Sequence, residues 1–394
     1  MRTENKDEII VVYPQGRIDS DNAQSFHEEL KMSIGDCADK SVEINMENVD
    51  YISSAGLRVF LQLKKEGISF RITEVSINLY EIFSVTGFTE IFEVSKALRR
   101  ISVDGCKILG KGFYGTVYRI DSDTIVKVYN SPDSIPMIKN EQLKARQAFL
   151  KGIPTAISFD LVKVDENYGA VFELLNARTF NDIIIEEPER TDEIIEIYVD
   201  FLKKVHATEM DHGSLPYSAG IYEAYLDTIR EYLTDEQYSV LKEYFSEFPE
   251  DDHFVHGDFQ LKNVMMTNGE PMLIDMDTLS AGHSIFDLAG LYVTYCSFRE
   301  DEPDNSMIFF GISNETAEHI WDRVIKLYYG DRSDEELIAI QNRICLMAAI
   351  RFLYLIKISE LKNNEFAEIR IRHNKEHIRD LLNRVDGLYF EDNR

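Results

Sequence analysis

Residues 256–277, HGDFQLKNVMMTNGEPMLIDMD, decide the fold of the larger part of the chain. Asp258 and Asn263 precede a short apolar strand, and Asp275 ends the strand that returns beside it. Between the two strands lies Asn268-Gly269, the residue pair most typical of a tight β-hairpin turn. The hairpin therefore predicts that the two carboxylates and the amide converge on one point.

The residue types at that point are suited to phosphoryl transfer. Asp258 follows a glycine, so no bulky neighbour hinders it from accepting the proton of a hydroxyl group. Asn263 and Asp275 supply the hard oxygen ligands that Mg²⁺ prefers beside phosphates. Any one of these side chains alone would be read as surface, but their order and spacing predict a site that uses ATP and Mg²⁺.

A glycine-rich segment, Gly110-Lys111-Gly112-Phe113-Tyr114-Gly115, lies upstream between two predicted strands. Because it joins strand to strand, it excludes a dinucleotide-binding fold and favours a loop over nucleotide phosphates, with a flexible hairpin as the alternative. Lys127 lies in the apolar strand 124–129 and needs an anion there. Glu141, in a helix predicted over 138–150, is the candidate; the alternative is a surface lysine on an edge strand.

These motifs resemble the protein-kinase-like superfamily, in particular its aminoglycoside phosphotransferase and choline kinase branch, over residues 106–394. The resemblance implies Asp258 as the catalytic base and Asn263 and Asp275 as magnesium ligands. It implies that His256 and Asp287 support the catalytic loop, and that residues 173–176 form the hinge that meets adenine. The nucleotide-binding residues that it implies are Gly110, Gly112, Gly115, Val117, Lys127, Glu141, Glu173 and Leu175.

Two features favour a small-molecule acceptor over a peptide. Gln260 stands where serine/threonine protein kinases usually have a lysine. The ten or so residues between Asp277 and Asp287 leave no room for a full activation loop. The acidic surplus around residues 186–193 and 247–252 makes a cationic, amine-bearing acceptor one expectation, with plain solvated surface as its alternative.

The first hundred residues alternate short strands with helices, which predicts a small α/β fold. At residues 51–61, YISSAGLRVFL, a strand end meets a serine pair that opens a helix. One interpretation is simple N-capping, and the other is a phosphate on Ser54 above the free N–H groups of the helix. The element order and this segment resemble the STAS domains of bacterial anti-sigma factor antagonists over residues 5–102. That resemblance implies Ser54 as a phosphorylation site and a protein partner.

The composition excludes several classes of function. With 42 basic and 70 acidic residues the net charge is −28 and the pI about 4.7, and no basic patch offsets it, so we expect no binding of nucleic acid or anionic membrane. Four scattered cysteines predict neither a zinc site nor disulfides, and residues 1–8 lack a signal core, so we expect a cytoplasmic protein. The apolar stretch 345–356 predicts a buried helix, and the basic run 370–379 a solvated helix face.

The predicted architecture is an α/β STAS-like domain over residues 1–102 and an α+β bilobal kinase-like domain over 103–394. Its N-lobe, about 106–175, has an antiparallel sheet, and its C-lobe, about 176–394, is mainly helical. The leading hypothesis is an enzyme that transfers the γ-phosphoryl group of ATP to a hydroxyl of a small molecule. A second is a regulatory protein that senses nucleotide or phosphorylates Ser54 or a partner; a third is a binding protein without turnover.

Overall fold

The computed structural model describes residues 1–6, 9–35, 41–112, 115–175, 177–330 and 332–391. Two compact units are present, Met1–Ser102 with Leu161–Glu166, and Val103–Asp160 with Asn167–Arg394. Residues 161–166 lie within the range predicted for the second domain. They group with the first unit because Val162 and Lys163 pair in parallel with Arg99 and Arg100.

The first unit is a twisted sheet with helices packed on it. Its elements are β1 (Arg2–Lys6), β2 (Ile9–Tyr13), β3 (Gln15–Ile18), α1 (Ala23–Ile34), β4 (Ser41–Asn45), β5 (Asn48–Ile52), α2 (Ser54–Lys65), β6 (Phe70–Val75), α3 (Ile77–Val85), α4 (Phe88–Ile91), β7 (Val94–Lys96) and β8 (Arg99–Arg100). The main sheet has the order β1-β2-β4-β6-β7, and only the β1–β2 pair is antiparallel. Side chains along a β-strand alternate between its two faces, and one face of this sheet is covered by the helices. Val12, Ile44 and Ile72 lie on the covered face and are fully buried.

Helix α2 packs closely on the strand ends that precede it. Its apolar residues Leu57, Phe60 and Leu63 recur at helical spacing and are buried. A Cβ atom at Gly56 would lie 2.7 Å from side-chain carbons of both Ile18 and Ile52. Glycine is thus required for the helix to approach this closely.

The second unit begins with an antiparallel sheet and one helix. Its first elements are β9 (Lys107–Lys111), β10 (Gly115–Arg119), β11 (Thr124–Tyr129), α5 (Ile135–Leu150) and β13 (Asn167–Glu173). Strand β12 (Asp160–Val164) precedes β13 in the chain, but all of it except Asp160 groups with the first unit. Strands β9, β10, β11 and β13 pair in that order, each antiparallel to the next. In this register Lys127 lies opposite Val117 on one side and Ala170 on the other.

The rest of the second unit is mainly helical around one apolar core. Its elements are β14 (Arg178–Thr179), α6 (Phe180–Glu186), α7 (Thr191–His206), α8 (Ser218–Thr228), α9 (Asp235–Ser246), β15 (Phe254–Val255), β16 (Val264–Thr267), β17 (Glu270–Leu273), β18 (Ser280–Ala281), α10 (Ile285–Tyr292), α11 (Phe298–Asp301), α12 (Asn305–Phe310), α13 (Asn314–Tyr328), α14 (Asp334–Ile358) and α15 (Ala367–Leu381). Strands β16 and β17 form a hairpin whose turn residues, Asn268 and Gly269, both have positive φ. A π-helical segment, Val293–Ser297, joins α10 to α11.

Helix α14 begins at a capping box formed by Ser333 and Glu336 and contributes to the core from Ile340 to Ile356. By length and composition it is the one helix among the described residues that could span a membrane, but half of its apolar window is buried inside the protein. It packs against α8, α10 and α15. The helix ends at Ile358, because Ser359 is extended and caps a 3₁₀ turn over Glu360–Asn363.

The expectation that the basic run 370–379 is a solvated helix face is wrong for Arg370. That side chain is fully buried in α15, where its Nη2 pairs with Glu302 at 2.5 Å. Its guanidinium also lies within 5.1–5.7 Å of the ring centres of Phe298, Phe352 and Phe366. The acidic partner and the rings come from other segments of the chain, so charge alone did not predict the burial.

Candidate active site

Asp258 lies in the loop between β15 and β16. Its Oδ2 atom accepts hydrogen bonds from Gln260 Nε2 and from Asn263 Nδ2, both at 2.8 Å. Asn263 Nδ2 also donates to the backbone oxygen of Asp258 at 2.9 Å. These contacts fix the carboxylate and turn the Oδ1 atom of Asn263 away from it.

Asp287, on α10, anchors the backbone of this loop through hydrogen bonds. Its Oδ2 accepts the backbone N–H of His256 at 2.8 Å, and its Oδ1 accepts that of Gly257 at 2.6 Å. His206 Nε2 lies 3.0 Å from Oδ2. Although burial alone raises the pKa of Asp287, the hydrogen bonds from His206 and from the loop backbone hold it below its usual value.

The ring of His256 joins both sides of the hairpin. Its Nε2 lies 3.2 Å from the oxygen of Ile274, and its Nδ1 accepts the N–H of Asp258 at 3.2 Å. Between them, Gly257 has a φ of 85°, and a Cβ there would lie 2.7 Å from the oxygen of Thr278. The loop conformation at Asp258 therefore requires glycine at position 257.

Lys127 lies between two carboxylates. Its Nζ is 2.6 Å from Asp275 Oδ1 and 3.2 Å from Glu141 Oε1. Burial would lower the pKa of Lys127, but the charges of Asp275 and Glu141 outweigh it and raise that pKa, so the ammonium stays charged. The hydroxyl of Tyr129 donates to Glu141 Oε2 at 2.5 Å.

A further carboxylate, Asp277, lies close to this group. Burial, followed by the charge of Asp275, raises the pKa of Asp277 to about 7. Lys144, three residues after Glu141 on α5, donates to the backbone oxygen of Asp277 at 2.6 Å. The carboxylates of Glu141, Asp275 and Asp277 thus concentrate negative charge, which a bound cation would offset.

The glycine-rich segment is a β-hairpin. Gly110 lies opposite Val117, and the N–H of Gly112 donates to the oxygen of Gly115 at 2.9 Å. A Cβ at Gly115 would clash with the oxygen of Val128, whereas one at Gly112 would meet no atom of the described residues nearer than 3.8 Å. Residues 113 and 114 lie outside the described residues.

Glu173 ends β13 opposite Thr124, and Leu175 follows it, half-buried. The intervening Leu174 donates its N–H to the oxygen of Asp123 at 2.7 Å. Residue 176, the last of the expected hinge, is outside the described part of the chain. Direct side-chain contacts thus join Lys127 to its carboxylates and Asp258 to Asn263, while the hairpin and the hinge are connected to Lys127 through sheet pairing.

A cavity of about 190 Å³ opens beside Asp258. It is lined by Asp258, Gln260, Gly290, Val293, Thr294, Phe298, Asn305, Phe309, Phe310, Arg351 and Leu355. A larger groove of about 480 Å³, between α6 and α13, shares no lining residue with it. The groove is larger, but only the cavity includes a residue of the catalytic loop.

Sequence reasoning missed several residues of this site. His206, which no motif in the sequence marks, is a buried partner of Asp287 and of the Tyr328 hydroxyl. Lys144 was signalled only by its position one helical turn after Glu141. Arg351 lies within the apolar stretch predicted to be a buried helix, and its Nη2 donates to the oxygen of Gly257 at 2.6 Å.

In the first unit, Ser53 is the residue that caps α2. Its Oγ accepts the N–H groups of Ala55 and Gly56 at 3.2 and 3.4 Å. Ser54 is the first helical residue and is exposed. The N-capping interpretation therefore holds for Ser53, and phosphorylation of Ser54 stays a prediction.

Comparison with known proteins matches each part separately. The model of the STAS domain matches residues 1–101, and that of the phosphotransferase enzyme family (APH) matches residues 105–316. The putative anti-sigma factor antagonist BtrV of Bordetella bronchiseptica is 33% identical over 95 residues, which make up 23% of this chain and 81% of that protein.

Among solved structures, aminoglycoside phosphotransferase APH(4)-Ia has a TM-score of 0.50 at 14% identity, covering 76% of this chain and 97% of its own. The apo form of a thermostable mutant of that enzyme has a TM-score of 0.50 at 12% identity, covering 70% and 94%. At such identities the likeness shows the fold alone. The predicted fold class, a STAS-like α/β domain with a bilobal kinase-like domain, is confirmed.

The predicted enzyme class, a phosphotransferase with an alcohol group as acceptor, is likewise confirmed. The phosphotransferase match covers more than half of the 394 residues. The chain therefore belongs to the phosphotransferase enzyme family and carries a STAS domain at its N-terminus.

Proposed function

We propose that the second unit transfers the γ-phosphoryl group of ATP to a hydroxyl group of a small molecule, and that the STAS domain regulates it in the cytoplasm. The observation that carries the proposal is the convergence of Lys127, Asp275 and Asp258 around one site. Asp275 pairs with Lys127, and the ring of His256 joins the N–H of Asp258 to the oxygen of Ile274, the residue before Asp275. In-line phosphoryl transfer needs this combination of a cation for the phosphates and a carboxylate for the acceptor.

The donor set fits Mg²⁺ bound together with phosphate oxygens. Asn263 and Asp275 would hold it, because the amide of Asn263 points its nitrogen at Asp258 and so offers Oδ1 as a ligand. No group of three or more His, Cys, Asp or Glu suited to a metal occurs within the described ranges, so the phosphates would complete the coordination. When bound, the metal offsets negative charge on the phosphates.

The residues of the chain then have separate tasks. Lys127, oriented by Glu141, binds phosphate oxygens of the nucleotide in place of its contact with Asp275. Asp258 orients the acceptor hydroxyl and takes its proton as the acceptor oxygen bonds to the γ-phosphorus. The bond from that phosphorus to the bridging oxygen breaks, and ADP leaves. The backbone of the β9–β10 hairpin lies over the phosphates, and Glu173 and Leu175 meet the base.

Substitution of Gly112 by valine is expected to weaken ATP binding about tenfold, or about 1.4 kcal/mol, because its methyl groups crowd the phosphates. The hairpin has room for a Cβ at this position, so the variant should fold normally. Calorimetric titration with ATP and Mg²⁺ measures the effect. Ile108→Val, on the same hairpin, serves as the control, and an unchanged ATP affinity in Gly112→Val would rule out this hairpin as the phosphate loop.

A second function is favoured by the exposure of Ser54 at the start of α2. A phosphate there would lie over backbone N–H groups of the helix N-terminus and alter a surface that a protein partner recognises. The second unit, or a separate kinase, would supply that phosphate.

Intact-mass measurement after incubation with ATP and Mg²⁺ separates the two functions. Under the leading proposal we expect ADP release that depends on a small acceptor, with no added mass on the protein. A gain of one phosphate that is lost in both Ser54→Ala and Asp258→Asn would instead establish self-phosphorylation as the main reaction. Ser25→Ala, at another exposed serine of the first unit, is the matched control.

A further inference from the structure

The residues that line the cavity beside Asp258 indicate the chemistry of the acceptor, which the fold alone does not. This inference rests on the proposed function and extends it to the chemistry of the acceptor. Two side chains that line the cavity are charged, Asp258 and Arg351. Since Asp258 is assigned to the acceptor hydroxyl, the charge left for the rest of the molecule is positive.

Arg351 projects from α14 and is half-buried. Its Nη2 donates to the oxygen of Gly257 at 2.6 Å, and its guanidinium reaches the hydroxyl of Tyr222. Throughout the described residues no carboxylate lies within 4 Å of it, although most arginines of the second unit have such a partner. A planar cation that faces a cavity with no carboxylate in direct contact is suited to a bidentate oxyanion.

The neighbouring glycine makes room for this side chain. A Cβ at Gly290 would lie 3.1 Å from Arg351 Nη1, which is closer than side chains normally pack. The adjacent π-helical segment directs Val293 and Thr294 toward the cavity, and such segments occur frequently at functional sites. Gly290 and the π-helical segment therefore shape the cavity wall around Arg351.

A second cation contacts two residues that line the cavity. Lys262, on the catalytic loop, donates to the backbone oxygen of Phe309, and its Nζ lies 5.1 Å above the ring of Phe310. Phe298, Phe309 and Phe310 make part of the cavity wall apolar. The polar groups Thr294 and Asn305 are engaged elsewhere, with Gly290 and Glu302 respectively.

Apart from Asp258, no acidic residue lines the cavity within the described part of the chain. Glu300 and Asp301 end α11 and Glu302 directly follows it, and they pair with His377, His373 and Arg370 of α15. Of the acidic residues in 186–193, Glu186, Glu187, Asp192 and Glu193 pair with arginines or with His319. Glu189 and Asp192 line the separate groove. The acidic residues that suggested a cationic acceptor are thus absent from the lining of this cavity.

We propose that the acceptor is a small hydroxy compound that carries an oxyanion, a carboxylate or a phosphate, which Arg351 binds while Asp258 receives the hydroxyl proton. The cavity volume of about 190 Å³ lies below the range of about 300–1,000 Å³ typical of drug-sized ligands. A polycationic, multi-ring acceptor therefore does not match the cavity in either size or charge.

Calorimetric titrations with four compounds of one scaffold test the proposal: glycerate, glycerol 3-phosphate, glycerol and 3-amino-1,2-propanediol. They are performed on the full chain with AMP-PNP and Mg²⁺, and repeated without nucleotide. We expect the anionic compounds to bind at least about tenfold more tightly than the amine, with glycerol between them. The ratio of glycerate to glycerol 3-phosphate affinity identifies which oxyanion the site prefers.

Arg351→Gln should remove the preference for anions, and Arg351→Lys should retain part of it. Because Arg351 also contacts the catalytic loop, the readout is the ratio of anion to glycerol affinity, which a purely structural role would not move. Arg343→Gln is the matched control, since Arg343 lies on the same helix, also donates to a backbone oxygen, and does not line the cavity.

Tightest binding of the amine, equal affinities, no binding of either anion, or an unchanged ratio in Arg351→Gln would each overturn the proposal. The nucleotide titration is independent of these outcomes. If AMP-PNP binds and the amine is preferred, the acceptor inference alone fails. If AMP-PNP does not bind, the proposed function fails, whatever the acceptor preference measured without nucleotide.

Discussion

Replacement of Asp258 by asparagine is expected to lower the rate of phosphoryl transfer about 10²- to 10⁴-fold, with little change in ATP affinity. The amide has nearly the size of the carboxylate and its oxygen still accepts a hydrogen bond from Gln260 or Asn263, so the loop keeps its conformation. It cannot take a proton from the acceptor hydroxyl. The Lys127 group, which would bind the phosphates, is untouched.

The measurement is ADP release with glycerate or a deproteinised cell extract as the source of acceptor, beside a calorimetric titration with ATP. Asp211→Asn is the matched control, since that carboxylate is exposed and only pairs with Lys151 on the surface. Normal turnover by Asp258→Asn would show that this carboxylate is not the base. A parallel loss of ATP affinity would show instead that the substitution disturbs the nucleotide site.

Much of the fold and of the candidate site could be predicted because the relevant signals are local. The Asn268-Gly269 turn fixes the β16–β17 hairpin, and the hairpin fixes the spacing of Asn263 and Asp275. The apolar surroundings of Lys127 were enough to indicate a buried anion nearby. The roles of these residues in binding and catalysis stay predictions until the variants are measured.

The acceptor side of the site could not be predicted, because its residues are distant in sequence and share no pattern. Arg351 and Asp258 lie 93 positions apart, and the cavity between them depends on the absence of a side chain at Gly290. The burial of Arg370 has the same cause, since Phe298 lies on α11 and Glu302 directly follows that helix. Composition suggested a cationic acceptor because it counts charges without showing which of them are already paired.

Substitution of Asp287 by alanine is expected to destabilise the second unit by about 3–5 kcal/mol, the usual cost of removing one partner from a buried charged group. The change leaves the N–H groups of His256 and Gly257 and the ring of His206 buried without their acceptor. Because Asp287 holds the backbone on both sides of the turn at Gly257, the position of Asp258 depends on it. Activity should therefore fall even under conditions where the variant is folded.

The chain contains one tryptophan, Trp321, and it is buried in the second unit, so its fluorescence in a urea titration reports the unfolding of that unit. Asp200→Ala, an exposed aspartate on α7, is the control and should stay within about 0.5 kcal/mol of the wild type. If Asp287→Ala does not fold, Asp287→Asn provides the graded case, since its one remaining oxygen can accept only part of the hydrogen bonds. If the unfolding midpoint and the activity of the variant equal those of the wild type, other contacts hold the loop. The first of these are the contact of the His256 ring with the oxygen of Ile274 and the hydrogen bond from Arg351 to the oxygen of Gly257.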